Sequence, residues 1–145
     1  MRFEYRLAGT GWAEAQITDD HASASLTASY LSDALGDLLA AVRAVRTGST
    51  EVRCSWEEEP GEYRWVFRRS RDDIALRILW FDDQYDSEAD ETGRVVFETT
   101  QKVDALVAAI ASAAQRVLDE HGEAGYVARW VEHAFPTAVL LDLQA

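Results

Sequence analysis

Alternating apolar and polar positions predict three short strands at the start of the chain. Residues 3–8, 12–18 and 22–28 follow the two-residue period of strands with one buried face. Gly9-Thr10-Gly11 and Asp19-Asp20 separate these runs and are typical of turns. The first 28 residues are therefore expected to be mainly β-structure.

A helix is expected next, because the spacing of the apolar positions changes from two to three and four. The residues on its apolar stripe are Leu31, Leu35, Leu38, Val42 and Val45. Ser29 or Ser32 is the candidate N-cap, since a hydroxyl there can accept a hydrogen bond from a free backbone N–H. Gly36 lies inside the helix and is expected either to face solvent or to let another backbone approach.

The middle of the chain predicts a hairpin. Glu59-Pro60-Gly61-Glu62 fits a type II turn, because proline presets φ at the second position and glycine tolerates positive φ at the third. With two loop residues, the expected cross-strand pairs are Trp56 with Trp65, Cys54 with Phe67, and Glu57 with Arg64. One face of this hairpin is then aromatic.

Two further strands extend the hairpin into a four-stranded meander. Residues 74–80 keep the parity of the aromatic face, and residues 94–99 follow an acidic connection at 82–92. The outward face is expected to carry Arg53, Glu57, Arg64, Arg68 and Arg77, with Val66, Leu79 and Phe81 between them.

The last third of the chain predicts two helices and an apolar tail. The first helix is expected at 101–120, capped by Thr100 and ended by Gly122, and the second at 126–133. The apolar residues at 139–143 indicate a docked C-terminus. The fold class is α+β: one antiparallel sheet of six or seven strands, order β-β-β-α-β-β-β-β-α-α, with helices on one face. A single domain, residues 1–145, is expected.

Composition narrows the class of protein. A hydrophobic fraction of 48% and a charged fraction of 28% exclude disordered and fibrous chains. The first seven residues alternate in polarity, unlike a signal peptide. Cys54, the single cysteine, cannot form an internal disulfide. A cytoplasmic location is therefore expected.

The charge is strongly acidic, with 26 acidic and 14 basic residues and a net charge of -12. Such a field repels phosphate backbones and anionic lipids, so neither nucleic acid nor membrane is an expected partner. One explanation is a surface for a basic protein. The other is solubility together with the composition of a GC-rich genome, since all basic residues but Lys102 are arginine.

No spacing in the chain matches a catalytic or metal-binding motif. Asp86, Glu88 and Asp90 have calcium-loop spacing, but Glu91 stands where glycine is required and Phe97 where a bidentate carboxylate is required. The remaining candidate ligands are scattered: His21, His121, His133 and Cys54. No catalytic residue, metal or cofactor is assigned, and the balance favours a protein that is not an enzyme.

Three surfaces remain as candidate sites. A basic partner would bind the acidic loops through Glu57, Glu59, Glu62, Asp82, Asp83 and Asp86. A small molecule, or the substrate of an unspecified enzyme, would bind a pocket lined by Trp56, Glu58, Tyr63, Trp65 and Trp80, unless these rings only fill the core. A homodimer would form through Arg64, Val66, Arg77, Leu79 and Phe81, unless other elements cover that face.

Several motifs carry a resemblance to other proteins. The segment 29–35, the segment 56–65, and Tyr126 with Trp130 resemble an uncharacterised family of small acidic bacterial proteins. These motifs concern the fold and imply no activity. Some acidic α+β proteins of this size are immunity proteins that neutralise toxins, an analogy of size and charge. The leading hypothesis is a non-enzymatic protein-binding module, with a small-molecule-binding protein or enzyme as the alternative.

Overall fold

Two antiparallel sheets and three helices make up the part of the chain that the computed structural model describes, residues 1–83 and 88–145. The strands are β1 (Arg2–Leu7), β2 (Trp12–Thr18), β3 (Ser23–Ser29), β4 (Glu51–Glu57), β5 (Glu62–Ser70), β6 (Asp73–Phe81) and β7 (Arg94–Lys102). The helices are α1 (Ala34–Arg46), α2 (Val103–Trp130) and α3 (Thr137–Gln144), and a single 3-10 turn, Asp90–Thr92, precedes β7. The α+β class is as predicted. The two helices predicted at 101–120 and 126–133 are both part of α2, and α3 lies where an apolar tail was expected.

The expected single sheet of six or seven strands is wrong. The first three strands form one sheet in the order β1-β2-β3, and the last four form another in the order β4-β5-β6-β7. Helix α1 and the residues before it contact β4. The helix packs along β4, and the N–H of Glu57 donates to the Ser32 hydroxyl at 3.1 Å. At Glu57, the edge of β4 is thus bonded to the segment before α1, and β3 belongs to the other sheet.

Aromatic rings join the buried faces of the two sheets. Phe3 of β1 meets Trp65 of β5 edge-on, with ring centroids 5.9 Å apart, and Tyr5 of β1 meets Trp56 of β4 at 5.7 Å. The two tryptophan rings lie 4.9 Å apart and have no exposed surface. Contacts of this geometry each add about 0.5–1.5 kcal/mol beyond the burial of apolar area. The helices close the same core with Leu35, Leu38, Leu39, Leu106, Ile110 and Val117.

The β4–β5 hairpin has the predicted faces but a different register. Trp56 lies opposite Tyr63, and Cys54 lies opposite Trp65, two residues away from the predicted pairs. The shift arises because four residues, 58–61, connect the strands where two were expected. The predicted type II turn is also wrong, since the Glu59–Pro60 peptide bond is cis. A shift of two residues leaves every side chain on its original face, so the aromatic face still points into the core.

Helix α1 begins later than the apolar period predicts. Its N-cap is Asp33, so the predicted caps Ser29 and Ser32 are wrong, and Leu31 precedes the helix with 44% of its surface exposed. Gly36 is buried, and a Cβ there would overlap the carboxylate of Asp33. The close approach expected at this glycine therefore involves the helix's own N-cap side chain.

The C-terminal third follows the sequence more closely. Gly122 interrupts α2 with φ 66° and ψ 173°, which confirms it as the end of the first helical segment. The second segment ends at Trp130. The apolar tail forms α3, which buries Leu140 and Leu143 but leaves Leu141 exposed. Among the described residues, no helix combines the length and the apolar character needed to span a membrane.

The hairpin connection generates a prediction about Gly61. This residue has φ +98°, and a Cβ would overlap the Trp80 ring and lie 2.9 Å from the Phe81 carbonyl oxygen. We expect Gly61→Ala to lower the free energy of unfolding by about 3 kcal/mol, from backbone strain and steric overlap together. Gly48→Ala is the control, because Gly48 has φ +121° but open space around it. Equal losses in urea unfolding of the two variants would contradict the packing described for Gly61.

Candidate partner-binding surface

Two acidic connections meet at one end of the four-stranded sheet. Because neighbouring strands are antiparallel, the β4–β5 and β6–β7 connections lie at the same end. We call this the acidic end: residues 57–62, 82–83 and 88–94. Its exposed carboxylates are Glu59, Asp82, Asp83, Glu88 and Glu91, while Glu57 and Glu58 are half-buried.

The other end of the same sheet carries several basic side chains. Arg69 donates to the carbonyl oxygens of Val45 at 2.7 Å and Arg46 at 3.0 Å, at the C-terminus of α1, where the helix dipole favours a cation. Lys102, at the end of β7, pairs with Asp73 at 2.8 Å. The described charges are therefore distributed unevenly along the sheet.

A buried carboxylate holds the β6–β7 connection onto the outer face of this sheet. Asp90 Oδ1 accepts from Arg64 Nη1 at 2.9 Å, and Asp90 Oδ2 accepts from Arg53 Nε at 3.0 Å and Nη2 at 2.5 Å. Arg64 also donates to the Glu88 carbonyl at 2.8 Å and to the Glu62 carboxylate at 3.3 Å. Hydrogen bonds from Arg53 and then Arg64 lower the pKa of Asp90 to about 2, against the opposing effect of burial.

The same connection covers the apolar part of the outer face. Val66, Leu79 and Phe81 form a small buried cluster, and the Arg64 guanidinium lies 4.2 Å from the centre of the Phe81 ring. Gly93 packs so closely that a Cβ would lie 2.6 Å from that ring. The chain therefore covers these apolar side chains itself, which is one of the two alternatives that the sequence left open. The homodimer stays a prediction without an exposed apolar face to support it.

The predicted partner-binding residues that the structure describes separate into three groups. Glu59, Asp82 and Asp83 are exposed at the acidic end, whereas Asp86 lies outside the described residues. Glu62 is 2% exposed and bound to an arginine, so it is not a surface carboxylate. Glu57 is half-buried opposite Glu62.

The predicted Glu57–Arg64 cross-strand pair is wrong. With the observed register, Arg64 lies opposite Ser55, and its guanidinium binds Glu62, Asp90 and a backbone carbonyl instead.

The five residues of the predicted pocket are also divided. Trp56 and Trp65 have no exposed surface and belong to the core. Tyr63 and Trp80 are half-buried cross-strand neighbours at the acidic end, with ring centroids 4.8 Å apart. Burial and then the charge of Glu58 raise the pKa of Tyr63, against the opposing effect of the exposed Arg94 at the start of β7. The structure therefore offers a surface aromatic pair beside carboxylates.

The remaining candidate ligands do not come together. Among residues 1–83 and 88–145, no group of three or more His, Cys, Asp and Glu side chains is arranged to hold a metal ion. Cys54 is half-buried against the core, and burial raises the pKa of its thiol, which disfavours a nucleophilic thiolate.

Two features escaped the sequence patterns. The role of Asp90 depends on arginines 26 and 37 positions away, so no local motif marks it. The second feature is a groove of about 1030 Å³ on the exposed face of the three-stranded sheet, bordered by Arg116 and Glu120 of α2. The groove also contains Arg2, Glu4, Arg6 and Glu14, and Arg6 pairs with Glu14. Its charges are mixed, unlike those of the acidic end.

Comparison with known proteins relates this chain to others at the level of the fold. No protein-family model and no curated protein matches the sequence. Among solved structures, a chain of the CdiA-CT/CdiI toxin and immunity complex from Enterobacter cloacae is similar, with a TM-score of 0.52. The two chains are 9% identical, and the match covers 78% of this chain and 97% of that one. At this identity, the likeness concerns the fold alone.

The Asp90 contacts predict a specific dependence of stability on pH. Because the folded pKa of about 2 lies below the unfolded value of about 3.9, these contacts stabilise the fold fully above about pH 4. That stabilisation is lost as the pH falls toward 2. We expect Asp90→Asn to lower the free energy of unfolding at pH 7 by about 2–3 kcal/mol and to reduce its loss below pH 4.

Urea unfolding from pH 7 to pH 2 measures both effects, with Asp104→Asn, at an exposed position on α2, as the control. An Asp90→Asn protein that loses as much stability in acid as the parent would contradict the assignment.

Proposed function

We propose that this chain is a non-enzymatic protein-binding module of the immunity type, which inhibits a basic partner by binding it at the acidic end. The proposal rests on which carboxylates at that end are paired with arginines and which are exposed. Asp90 and Glu62 engage Arg53 and Arg64, while Glu59 and its exposed neighbours on both connections face solvent. A concentrated negative surface attracts a basic protein and accelerates its association.

The aromatic pair supplies the apolar component that an interface needs. Tyr63 and Trp80 are half-buried and lie beside the carboxylates of Glu58 and Asp82, and Trp80 Nε1 donates to Asp82 Oδ1 at 2.7 Å. Tyrosine and tryptophan are frequent energetic centres of interfaces. A lysine or arginine of the partner can contact a ring face while pairing with a carboxylate. This arrangement fits a basic partner better than an uncharged one.

The fold similarity supports the same role independently of the surface charges. A chain of similar fold takes part in a complex of a toxin with its immunity protein. In our proposal, this chain is the inhibitor of such a pair, because its net charge is acidic and the spacing of its residues matches no catalytic motif. The bacterial origin and the cytoplasmic location expected from the sequence suit an inhibitor that acts inside the producing cell.

The alternative function, binding of a small molecule among the meander aromatics, has less support. Of the five pocket residues, only Glu58, Tyr63 and Trp80 have accessible surface. These three lie at the rim of the sheet, and the proposal uses the same rings for a protein partner.

Paired charge variants test the proposed function. Glu59→Gln with Asp83→Asn removes two charges at the acidic end, and Asp72→Asn with Asp104→Asn removes two charges at the other end of the sheet; all four residues are exposed. Capture from the native host at low salt should recover a basic protein. We expect the acidic-end pair to weaken its binding by about fivefold or more, mainly through slower association, and the control pair by less than about twofold.

Calorimetry and association kinetics at several salt concentrations measure these effects. Equal effects of the two pairs, association that does not depend on salt, or recovery of the bait alone would contradict the proposal.

A further inference from the structure

Four arginine side chains surround Val66 on the outer face of the four-stranded sheet. Arg53 of β4 and Arg77 of β6 lie directly opposite Val66 on its two neighbouring strands. Arg64 and Arg68 lie two residues before and two residues after it along β5, so they share its face. Two diagonal pairs result: Arg53 with Arg64 on one side of Val66, and Arg68 with Arg77 on the other.

The first arginine pair, Arg53 with Arg64, binds a carboxylate of the chain itself. Asp90 Oδ2 accepts from Arg53 Nε at 3.0 Å, and Asp90 Oδ1 accepts from Arg64 Nη1 at 2.9 Å. Diagonal neighbours on adjacent strands are about 7–8 Å apart, within the combined reach of two arginine side chains. Two arginines with this spacing can therefore converge on one carboxylate.

The second arginine pair, Arg68 with Arg77, borders an open cavity of about 290 Å³. The cavity lining includes Val66, Arg68, Ala75, Arg77, Glu98 and Thr100, and no residue of the connection that carries Asp90. Ala75 is exposed and lies between its cross-strand partners Arg68 and Thr100. Because its side chain is a single methyl group, this position leaves room for a small polar group of another molecule.

The hydrogen-bond donors in this lining suit an anion. Arg77 is half-buried and forms no ion pair with any residue that the structure describes. Arg68 donates from Nε to Glu51 at 2.8 Å, which leaves both of its Nη groups to donate elsewhere. Thr100 adds a hydroxyl opposite Ala75. Guanidinium groups bind carboxylates strongly, because both are charged and their planar shapes match.

One carboxylate, Glu98, is also part of the lining. It lies opposite Arg77 and is exposed, but the two side chains are not within ion-pair distance of each other. Its charge repels an incoming anion, so removing that charge should strengthen the binding of an anion in the cavity.

We propose that the second arginine pair binds an aspartate or glutamate side chain of an acidic peptide segment from another molecule. Arg68 and Arg77 hold that carboxylate as Arg53 and Arg64 hold Asp90, with Ala75 beneath it. A peptide segment is the favoured occupant because the first pair holds its carboxylate on such a segment, residues 88–93. The site takes a ligand of the opposite charge to the proposed basic partner and does not depend on that function.

Titration followed by nuclear magnetic resonance tests the site with two matched probes. N-acetyl-aspartate N-methylamide presents one side-chain carboxylate, and N-acetyl-asparagine N-methylamide has the same shape without the charge. We expect the first probe to shift the backbone amides of residues 66–68, 75–77 and 98–100, with a dissociation constant of about 10 mM or lower. The neutral probe should bind more weakly by about tenfold or more.

Four variants separate this site from general effects of charge. Arg77→Gln should weaken binding of the charged probe by about tenfold. Ala75→Leu fills the cavity but leaves every charge in place, so it should weaken binding by a similar factor; the exposed position should tolerate the larger side chain. Glu98→Gln should strengthen binding by about two- to threefold. Arg94→Gln, at an exposed arginine outside the cavity, is the control and should change binding by less than about twofold.

Several results would overturn the proposal. The first is the absence of a saturable shift at residues 66–68 and 75–77, or equal binding of the charged and neutral probes. The second is unchanged binding by Ala75→Leu or Arg77→Gln. The third is acetate that binds as tightly as the aspartate probe, since acetate has no peptide groups. A crystal structure in which Arg77 pairs with Glu98 across the cavity would also contradict it.

Discussion

The carboxylate of Asp90 determines what the outer face of the four-stranded sheet presents to solvent. Its hydrogen bonds to Arg53 and Arg64 hold residues 88–93 against this face, where Gly93 packs on Phe81 and Leu79. Without this contact, two arginines and a buried apolar cluster would meet water. With it, the chain itself closes this part of the face, and Arg53 and Arg64 are paired internally.

The character of the acidic end follows from this arrangement. Arg53 and Arg64 are held by Asp90 and Glu62. The exposed carboxylates at the same end of the sheet include Glu59, Asp82 and Asp83, near the Tyr63–Trp80 pair. A buried ion pair contributes little net stability on average, since desolvation offsets much of the attraction. Here the buried ion pairs of Asp90 matter because they determine which charged groups remain exposed. The fold and the proposed recognition thus depend on the same side chains.

Much of the fold could be predicted from the sequence. The strands, the faces of the meander and the role of Gly122 follow from local periods and from glycine's tolerance of positive φ. The division into two sheets could not be predicted, because it depends on tertiary contacts of β4, such as the hydrogen bond from Glu57 to Ser32. A four-residue connection where two residues were expected changed the hairpin register but not its faces.

The candidate site was predicted less completely. An excess of acidic residues in two segments is visible in the sequence, and antiparallel topology then brings those segments to one end. Which carboxylates stay exposed is decided by tertiary pairing, which buries Glu62 and Asp90 and leaves Glu59 in solvent. No pattern of neighbouring residues distinguishes these three.

Hydrogen exchange of the protein with and without its basic partner tests the central claim most directly. The account predicts protection of backbone amides in residues 57–62, 82–83 and 88–94, with little change on the exposed face of β1, β2 and β3. Protection confined to that three-stranded sheet, with the acidic end still exchanging freely in the complex, would contradict it.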